Sequence, residues 1–311
     1  MNQDRGLKII ITDPVDQVLI EKLEDERFGV DYYPKIQEEE LIDIIGRYEG
    51  IVVRSRTKVT QDLINRGKNL RFVARAGVGL DGIDLATLKN RGISIIHAPE
   101  ASTDSVAELT FGLMIGSCRR IPELAAEIKH GNFAKEIGTE ISGKTLGLIG
   151  FGRIGYRVAE IARAFNMNIL AYDIIRSERI NAVSGSYVSL QDLLVASDFI
   201  GIFVTIKPGE PPILGKNELM IVRKKPGIIN TSRAAAIDGP AILDALKIGS
   251  ISFYASDVMW SEPPKTEWEL ELLKLPQVTI TPHIGAQTRE AQARIAEATA
   301  SKIIEMFGGV K

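Results

Sequence analysis

Apolar and polar positions follow two recurring periods along this chain. Short apolar runs at Lys8 to Thr12, Ile51 to Arg54, Leu70 to Arg75 and Ile93 to His97 predict strands. Between them, Val15 to Leu23 and Glu38 to Gly46 repeat apolar residues at helical spacing. A second series of strands is predicted at Thr145 to Ile149, Ile169 to Tyr172, Phe199 to Val204, Gly227 to Asn230, Ile251 to Val258 and Val278 to Thr281. Helical spacing returns from Thr288 to Phe307. Between the two series, Ser105-Val106-Ala107-Glu108 fits a capping box that opens a nearly uncharged, buried helix to about Arg120. Pro122 then opens a further helix ending near Gly131, and Pro208-Gly209-Glu210-Pro211-Pro212 reads as a rigid turn. Strands alternating with helices in both halves predict an α/β fold of two doubly wound parallel-sheet domains.

One turn in this pattern carries chemistry. Gly150-Phe151-Gly152-Arg153-Ile154-Gly155 lies between the strand ending at Ile149 and a helix from about 154 to 165, and the next strand ends in Asp173. In that frame the glycines form a dinucleotide fingerprint. Gly150 permits the tight turn, Gly152 lets the backbone approach a pyrophosphate, and Gly155 lets helix and strand pack closely. The helix N-terminus offers N–H groups to the phosphates. Asp173 suits the ribose hydroxyls and repels a 2′-phosphate, which favours NAD over NADP.

Composition narrows the classes. A chain of 311 residues suits two domains, and 45% hydrophobic with 25% charged residues is the balance of a soluble globular protein. A net charge of −2 offers no reason to expect nucleic acid or an anionic membrane as partner. Cys118 is the only cysteine, so no intrachain disulfide forms, and its apolar surroundings make it a small core residue. Met1 to Gly6 is polar and no apolar run is long enough to span a bilayer, which predicts a cytoplasmic protein.

Three groups at strand ends of the second half suit acid–base chemistry: Arg233 after Gly227 to Asn230, Glu262 after Ile251 to Val258, and His283 after Val278 to Thr281. Oxidising a 2-hydroxy acid needs a cation for the carboxylate and C2 oxygen, and a base for the hydroxyl proton. Arginine's planar fork serves the first need. Histidine titrates near neutrality and serves the second, with a carboxylate partner favouring its protonated form. His97 and His130 belong to no motif.

Several segments, in order, make the chain recognisable: Val52-Val53-Arg54-Ser55, Arg75-Ala76-Gly77-Val78-Gly79-Leu80-Asp81, Val106-Ala107-Glu108-Leu109, Gly150 to Gly155, Asn230 to Arg233, Asp257-Val258, Glu262-Pro263-Pro264 and His283-Ile284-Gly285-Ala286. Over almost its whole length the sequence resembles the D-isomer-specific 2-hydroxyacid dehydrogenase family. The resemblance implies a Rossmann NAD-binding domain, residues 99–283, inserted in a flavodoxin-like substrate domain formed by 1–98 and 284–311. It implies Arg233, Glu262 and His283 as the catalytic set, with Glu262 holding His283. Cofactor contacts implied are Val78, Gly150, Gly152, Arg153, Ile154, Gly155, Asp173, Thr231, Asp257 and Gly285, with Asp257 near the nicotinamide carboxamide. Backbone N–H groups of Val78 and Gly79 would bind the substrate carboxylate.

Within the family the chain is most similar to a short form that lacks the regulatory domain of longer members and takes a phosphorylated 2-hydroxy acid. Arg54 and Arg56, with Ser55 between them and Lys58 nearby, concentrate the positive charge such a substrate requires. Unphosphorylated glyoxylate, hydroxypyruvate or lactate are the enzymatic alternatives on the same scaffold. An NAD-sensing module that binds proteins is an alternative of another class. Family members usually pair as dimers through their NAD-binding domains, so the resemblance implies a homodimer here. This chain departs from the usual pattern at Ala234-Ala235-Ala236, Phe203-Val204, Gly82 and Asn166.

Overall fold

A computed structural model describes residues 6–207 and 209–309. Residues 1–5 of the polar opening and Pro208 of the predicted turn lie outside the described residues. The chain begins with β1 (Lys8–Ile11), α1 (Gln17–Asp25), β2 (Gly29–Tyr32), α2 (Glu38–Ile44), β3 (Gly50–Val53) and α3 (Gln61–Arg66). It continues with β4 (Phe72–Arg75), α4 (Leu85–Asn90), β5 (Ser94–His97), α5 (Thr103–Cys118) and α6 (Ile121–Lys129). Next come β6 (Thr145–Ile149), α7 (Arg153–Ala164), β7 (Asn168–Tyr172), α8 (Arg179–Ala182), β8 (Ser186–Tyr187) and α9 (Leu190–Ala196). The last elements are β9 (Phe199–Ile202), α10 (Lys216–Ile221), β10 (Gly227–Asn230), α11 (Gly239–Lys247), β11 (Phe253–Ser256), α12 (Glu267–Leu272), β12 (Val278–Ile280) and α13 (Arg289–Phe307).

These elements form two compact units. The first comprises Met1–Ser102 and Ala286–Lys311, the second Thr103–Gly285. Against the divisions expected near 98 and 284, the first crossing comes a few residues later. Ala98 and Ala101 are buried in the core under β1 and α13, which keeps the turn after β5 with the first unit.

The first unit has a parallel sheet in the order β2-β1-β3-β4-β5, the flavodoxin-like arrangement. β3 is buried along its whole length, as a strand covered by helices on both faces must be. α13 packs on α1 and stacks Phe307 on Phe72 of β4 at 4.8 Å between ring centres. β2 was not predicted, and its burial pattern explains why. It is an edge strand, only partly covered, with no continuous apolar run.

The second unit carries a seven-stranded parallel sheet in the order β12-β11-β10-β9-β6-β7-β8. This is the Rossmann order with one added strand, and it reverses direction between β6 and β9, where such sheets bind ligands. β9, β10 and β11 are buried throughout. The two-residue β8 closes the other edge.

The predicted capping box at Ser105 is corrected. α5 begins at Thr103, so Ser105 lies inside the first turn, where its buried hydroxyl donates to Gly285 O at 2.7 Å. A tertiary acceptor has taken the side chain that the local pattern assigned to the helix end. Cys118 is buried, and burial pushes its thiol up to about 11. The departures from the family pattern are accommodated. Gly82 and Asn166 both have left-handed backbone, φ +81° and +56°, which glycine and asparagine tolerate best. Ala234–Ala236 form a 3-10 turn without positive φ. Among the described residues no helix is long and apolar enough to cross a membrane.

Candidate active site

The glycine turn joins β6 to α7, and its three glycines answer to different demands. Gly150 has φ +94°, and a Cβ there would lie 2.6 Å from Phe203 O. At Gly155 a Cβ would lie 2.2 Å from Gly150 O, so the fold itself excludes any larger residue. At Gly152, the N-cap of α7, a Cβ would meet nothing within 4 Å, and no side chain caps the helix. The open space and uncapped first turn beside Gly152 fit a pyrophosphate, with Arg153, Ile154 and Gly155 supplying N–H groups. Asp173 directly follows β7, and its Oδ2 accepts from Phe151 N at 2.6 Å and its Oδ1 from Ile175 N at 3.0 Å. Each oxygen keeps a lone pair for a ribose hydroxyl. Phe203 and Val204 continue β9 beside this turn, Phe203 N bonding Ile149 O at 2.7 Å.

Arg233 follows β10 and is half-buried. Its turn is folded by the fully buried Asn230, whose Nδ2 donates to Arg233 O at 2.9 Å while Oδ1 accepts from Ser232 N and Oγ at 3.0 and 2.9 Å. Thr231 reaches back to α5, with its hydroxyl 3.1 Å from that of Thr110. His283 stands after β12 with φ +54°, uncommon for a residue with a side chain. Buried Asp257 shapes this turn. Its Oδ1 accepts from Thr281 Oγ1 at 2.6 Å and Ile284 N at 2.8 Å, and its Oδ2 from Gly285 N at 2.7 Å. A Cβ on Gly285 would lie 3.0 Å from Asp257 Oδ2, so glycine lets this contact form. Asp257, expected near the nicotinamide, therefore also holds the histidine turn together.

Glu262 lies in the loop between β11 and α12. Its Oε2 is 3.2 Å from His283 Nδ1, and both side chains are about half exposed. With Nδ1 held by the carboxylate, the other ring nitrogen is left to exchange a proton with a ligand. The fold thus brings Glu262 and His283 together from two strand ends, 21 residues apart in sequence.

The predicted substrate residues lie in the first unit. Arg54 follows β3. Its backbone N donates to Asp13 Oδ2 at 2.5 Å and its Nη1 to Pro14 O at 2.9 Å. Burial lowers its pKa, with Asp13 opposing. Arg56 turns onto its own chain. Its Nη1 donates to Ile36 O at 2.7 Å, its Nη2 bonds Thr12 O, and its Nε pairs with Asp13 Oδ1 at 3.2 Å. Asp13, buried two residues after β1, also accepts from Thr57 N and Oγ1, so one carboxylate organises residues 54–57. Asp13 belongs to no motif of the sequence, although an acid closely following a buried strand is a usable signal. Arg75 opens a family-like segment of the sequence but carries no site role there. Paired in register with Val53, Arg75 donates from Nε to Gly79 O at 3.0 Å and makes a long 3.5 Å contact from Nη2 to Ser55 Oγ. Val78 O shares a hydrogen bond with His97 Nδ1 at 3.3 Å.

One Rossmann sheet therefore carries a glycine turn after its first strand and a hydrogen-bonded glutamate–histidine pair after its last ones, a layout that suits an NAD-dependent dehydrogenase. Residues 111–285 match the profile of the D-isomer-specific 2-hydroxyacid dehydrogenase NAD-binding domain, and the chain belongs to that family. It is 40% identical over 307 residues to a hydroxypyruvate reductase of Thermotoga maritima, covering 97% of this chain and 98% of that one. It is also 40% identical over 307 residues to a D-3-phosphoglycerate dehydrogenase of Methanocaldococcus jannaschii, covering 97% of this chain but spanning only 58% of that relative. Among solved structures it resembles D-lactate dehydrogenase from Aquifex aeolicus complexed with NAD and lactic acid. That similarity has a TM-score of 0.83 at 30% identity, covering 96% and 95% of the two chains.

Proposed function

We propose that this dehydrogenase oxidises 3-phospho-D-glycerate to 3-phosphohydroxypyruvate, the entry step to serine. The supporting observation is the pair of arginines, Arg54 and Arg75, at the carboxyl ends of adjacent strands β3 and β4. Two guanidinium groups there suit a phosphate better than a neutral hydroxymethyl group. Arg233 binds the substrate carboxylate and polarises the C2 oxygen. His283 takes the hydroxyl proton on its free ring nitrogen, and Glu262 holds the ring from Nδ1. Bound NAD supplies the hydride acceptor.

A second reading is reduction of unphosphorylated hydroxypyruvate. It is favoured by the inward engagement of Arg56 and by the Thermotoga maritima relative of matching length. NADH formation from 3-phosphoglycerate, glycerate and lactate separates the two. The phosphate reading expects Arg54→Ala to lower kcat/KM for the phosphorylated substrate about 10–100-fold, the worth of one charged hydrogen bond, and to spare the others. Equal kcat/KM for phosphorylated and plain substrates overturns it. Arg56→Ala serves as the contrast, because it removes internal bonds and is expected to lower the melting temperature instead.

We further propose that two copies pair through the second unit. α6 buries none of its residues, and Ile121, Ile128, Phe133 and Ile137 on and after it are exposed. Four exposed apolar side chains within one short stretch of chain are what an interaction surface carries. Sedimentation equilibrium is expected to give a dimer, and Phe133→Lys with Ile137→Lys a monomer. A wild-type monomer at micromolar concentration rejects the pairing.

A further inference from the structure

The loop that carries Glu262 runs from Met259 to Lys265 with neither helix nor strand, and its Glu262–Pro263 bond is cis. Within this segment Met259 N donates to Glu262 Oε1 at 3.2 Å, and keeping Oε2 at 3.2 Å from the imidazole further requires that the backbone of the segment be fixed. Two side chains fix it. Trp260 donates its indole N–H to Ile237 O at 3.0 Å and packs edge-on against Trp268 at 5.0 Å between ring centres. Glu269, on α12, is fully buried. Its Oε1 accepts from Ser261 N at 2.7 Å, and its Oε2 accepts from Lys265 N at 3.2 Å, Thr266 N at 2.9 Å and Thr266 Oγ1 at 2.8 Å. The backbone on both sides of Glu262 therefore ends on one carboxylate.

We propose that Glu269 is a positioning residue for the reaction, fixing residues 261–266 so that Glu262 stays on His283. This rests on the proposed proton transfer by the Glu262–His283 pair. Its partners are backbone amides and a hydroxyl, and bonds from such donors to an ionised carboxylate are strong. Burial alone would raise the Glu269 carboxyl, but the bonds from Thr266, Lys265 and Ser261 overcome this and bring it to about 2. A glutamine of the same shape cannot accept at both ends. Whichever way its amide lies, an NH2 group faces at least one of these N–H donors.

A double-mutant cycle of Glu262→Gln and Glu269→Gln tests the idea, reading kcat, KM and thermal melting. Glu269→Gln is expected to lower kcat about tenfold with KM within about twofold. In the Glu262→Gln background it is expected to change kcat less than about twofold, because the group it positions is already gone. If Glu262→Gln alone leaves kcat unchanged, the catalytic reading of the pair fails. If Glu262→Gln slows the enzyme but Glu269→Gln does not, or the two losses multiply, the positioning role is overturned. Should Glu269→Gln not fold, Thr266→Val replaces it. Removing one donor is then expected to give a smaller kcat loss, again absent in the Glu262→Gln background, and a loss that multiplies overturns the proposal.

Discussion

Replacing His283 by asparagine is expected to lower kcat about 10²–10⁴-fold while NAD affinity and the melting temperature stay close to wild type. Asparagine is chosen because His283 has φ +54°, a conformation that asparagine adopts at little cost, so the loss reports chemistry and not backbone strain. The turn should survive, since its bonds run from Thr281, Ile284 and Gly285 to Asp257 and none uses the imidazole. What disappears is the ring nitrogen opposite Glu262, the proposed acceptor of the hydroxyl proton. The loss corresponds to roughly 3–5 kcal/mol of transition-state stabilisation. Initial rates of NADH formation, with NADH titration and thermal melts as controls, check it. A variant within about threefold of the wild-type kcat would falsify the acid–base role.

Valine at Gly152 is expected to weaken NAD binding at least about 100-fold, roughly 3 kcal/mol, with the melting temperature unchanged. Valine at Gly155 is expected to prevent folding altogether. The contrast follows from where each side chain would point. At Gly155 its Cβ meets the Gly150 carbonyl oxygen at 2.2 Å, a backbone atom that cannot rotate aside as a side chain can. At Gly152 its Cβ meets nothing within 4 Å beyond the adjoining residues, so the fold without cofactor accommodates it. The space it fills lies at the uncapped N-terminus of α7, where the pyrophosphate requires close approach of the backbone. NADH fluorescence titration measures the first effect and circular dichroism the second. Wild-type affinity in Gly152→Val would place the cofactor elsewhere.

Acid sensitivity adds a check on the Glu262 loop. Glu269 has its carboxyl brought from 4.5 down to about 2. A depressed carboxyl stabilises the fold above its unfolded value, and that contribution is lost as pH falls from 4.5 toward 2.

Much of the architecture was legible because periodicity is a local property. Strands such as Gly227–Asn230 and helices such as α13 carry their apolar period within their own residues. The edge strands β2 and β8 escaped notice because an edge needs no continuous apolar run. Ser105 misled because its sequence neighbours fit a cap, while its hydroxyl is taken by Gly285, 180 residues away. Arg56 illustrates the same limit. In sequence it is one of three cations in five residues, and only the fold shows its guanidinium spent on Asp13, Thr12 and Ile36.

By itself, the sequence determined the α/β class, the glycine turn with Asp173, and the strand ends that carry Arg233, Glu262 and His283. Each of these is written within one strand–turn–helix unit. The tertiary structure alone decided what those side chains touch. It set the 3.2 Å geometry of the Glu262–His283 pair, which only the family resemblance implied, and the hold of Asp257 on the histidine turn. Such contacts join residues from separate strand ends, and their distances follow from how a parallel sheet twists and packs, which no local pattern encodes.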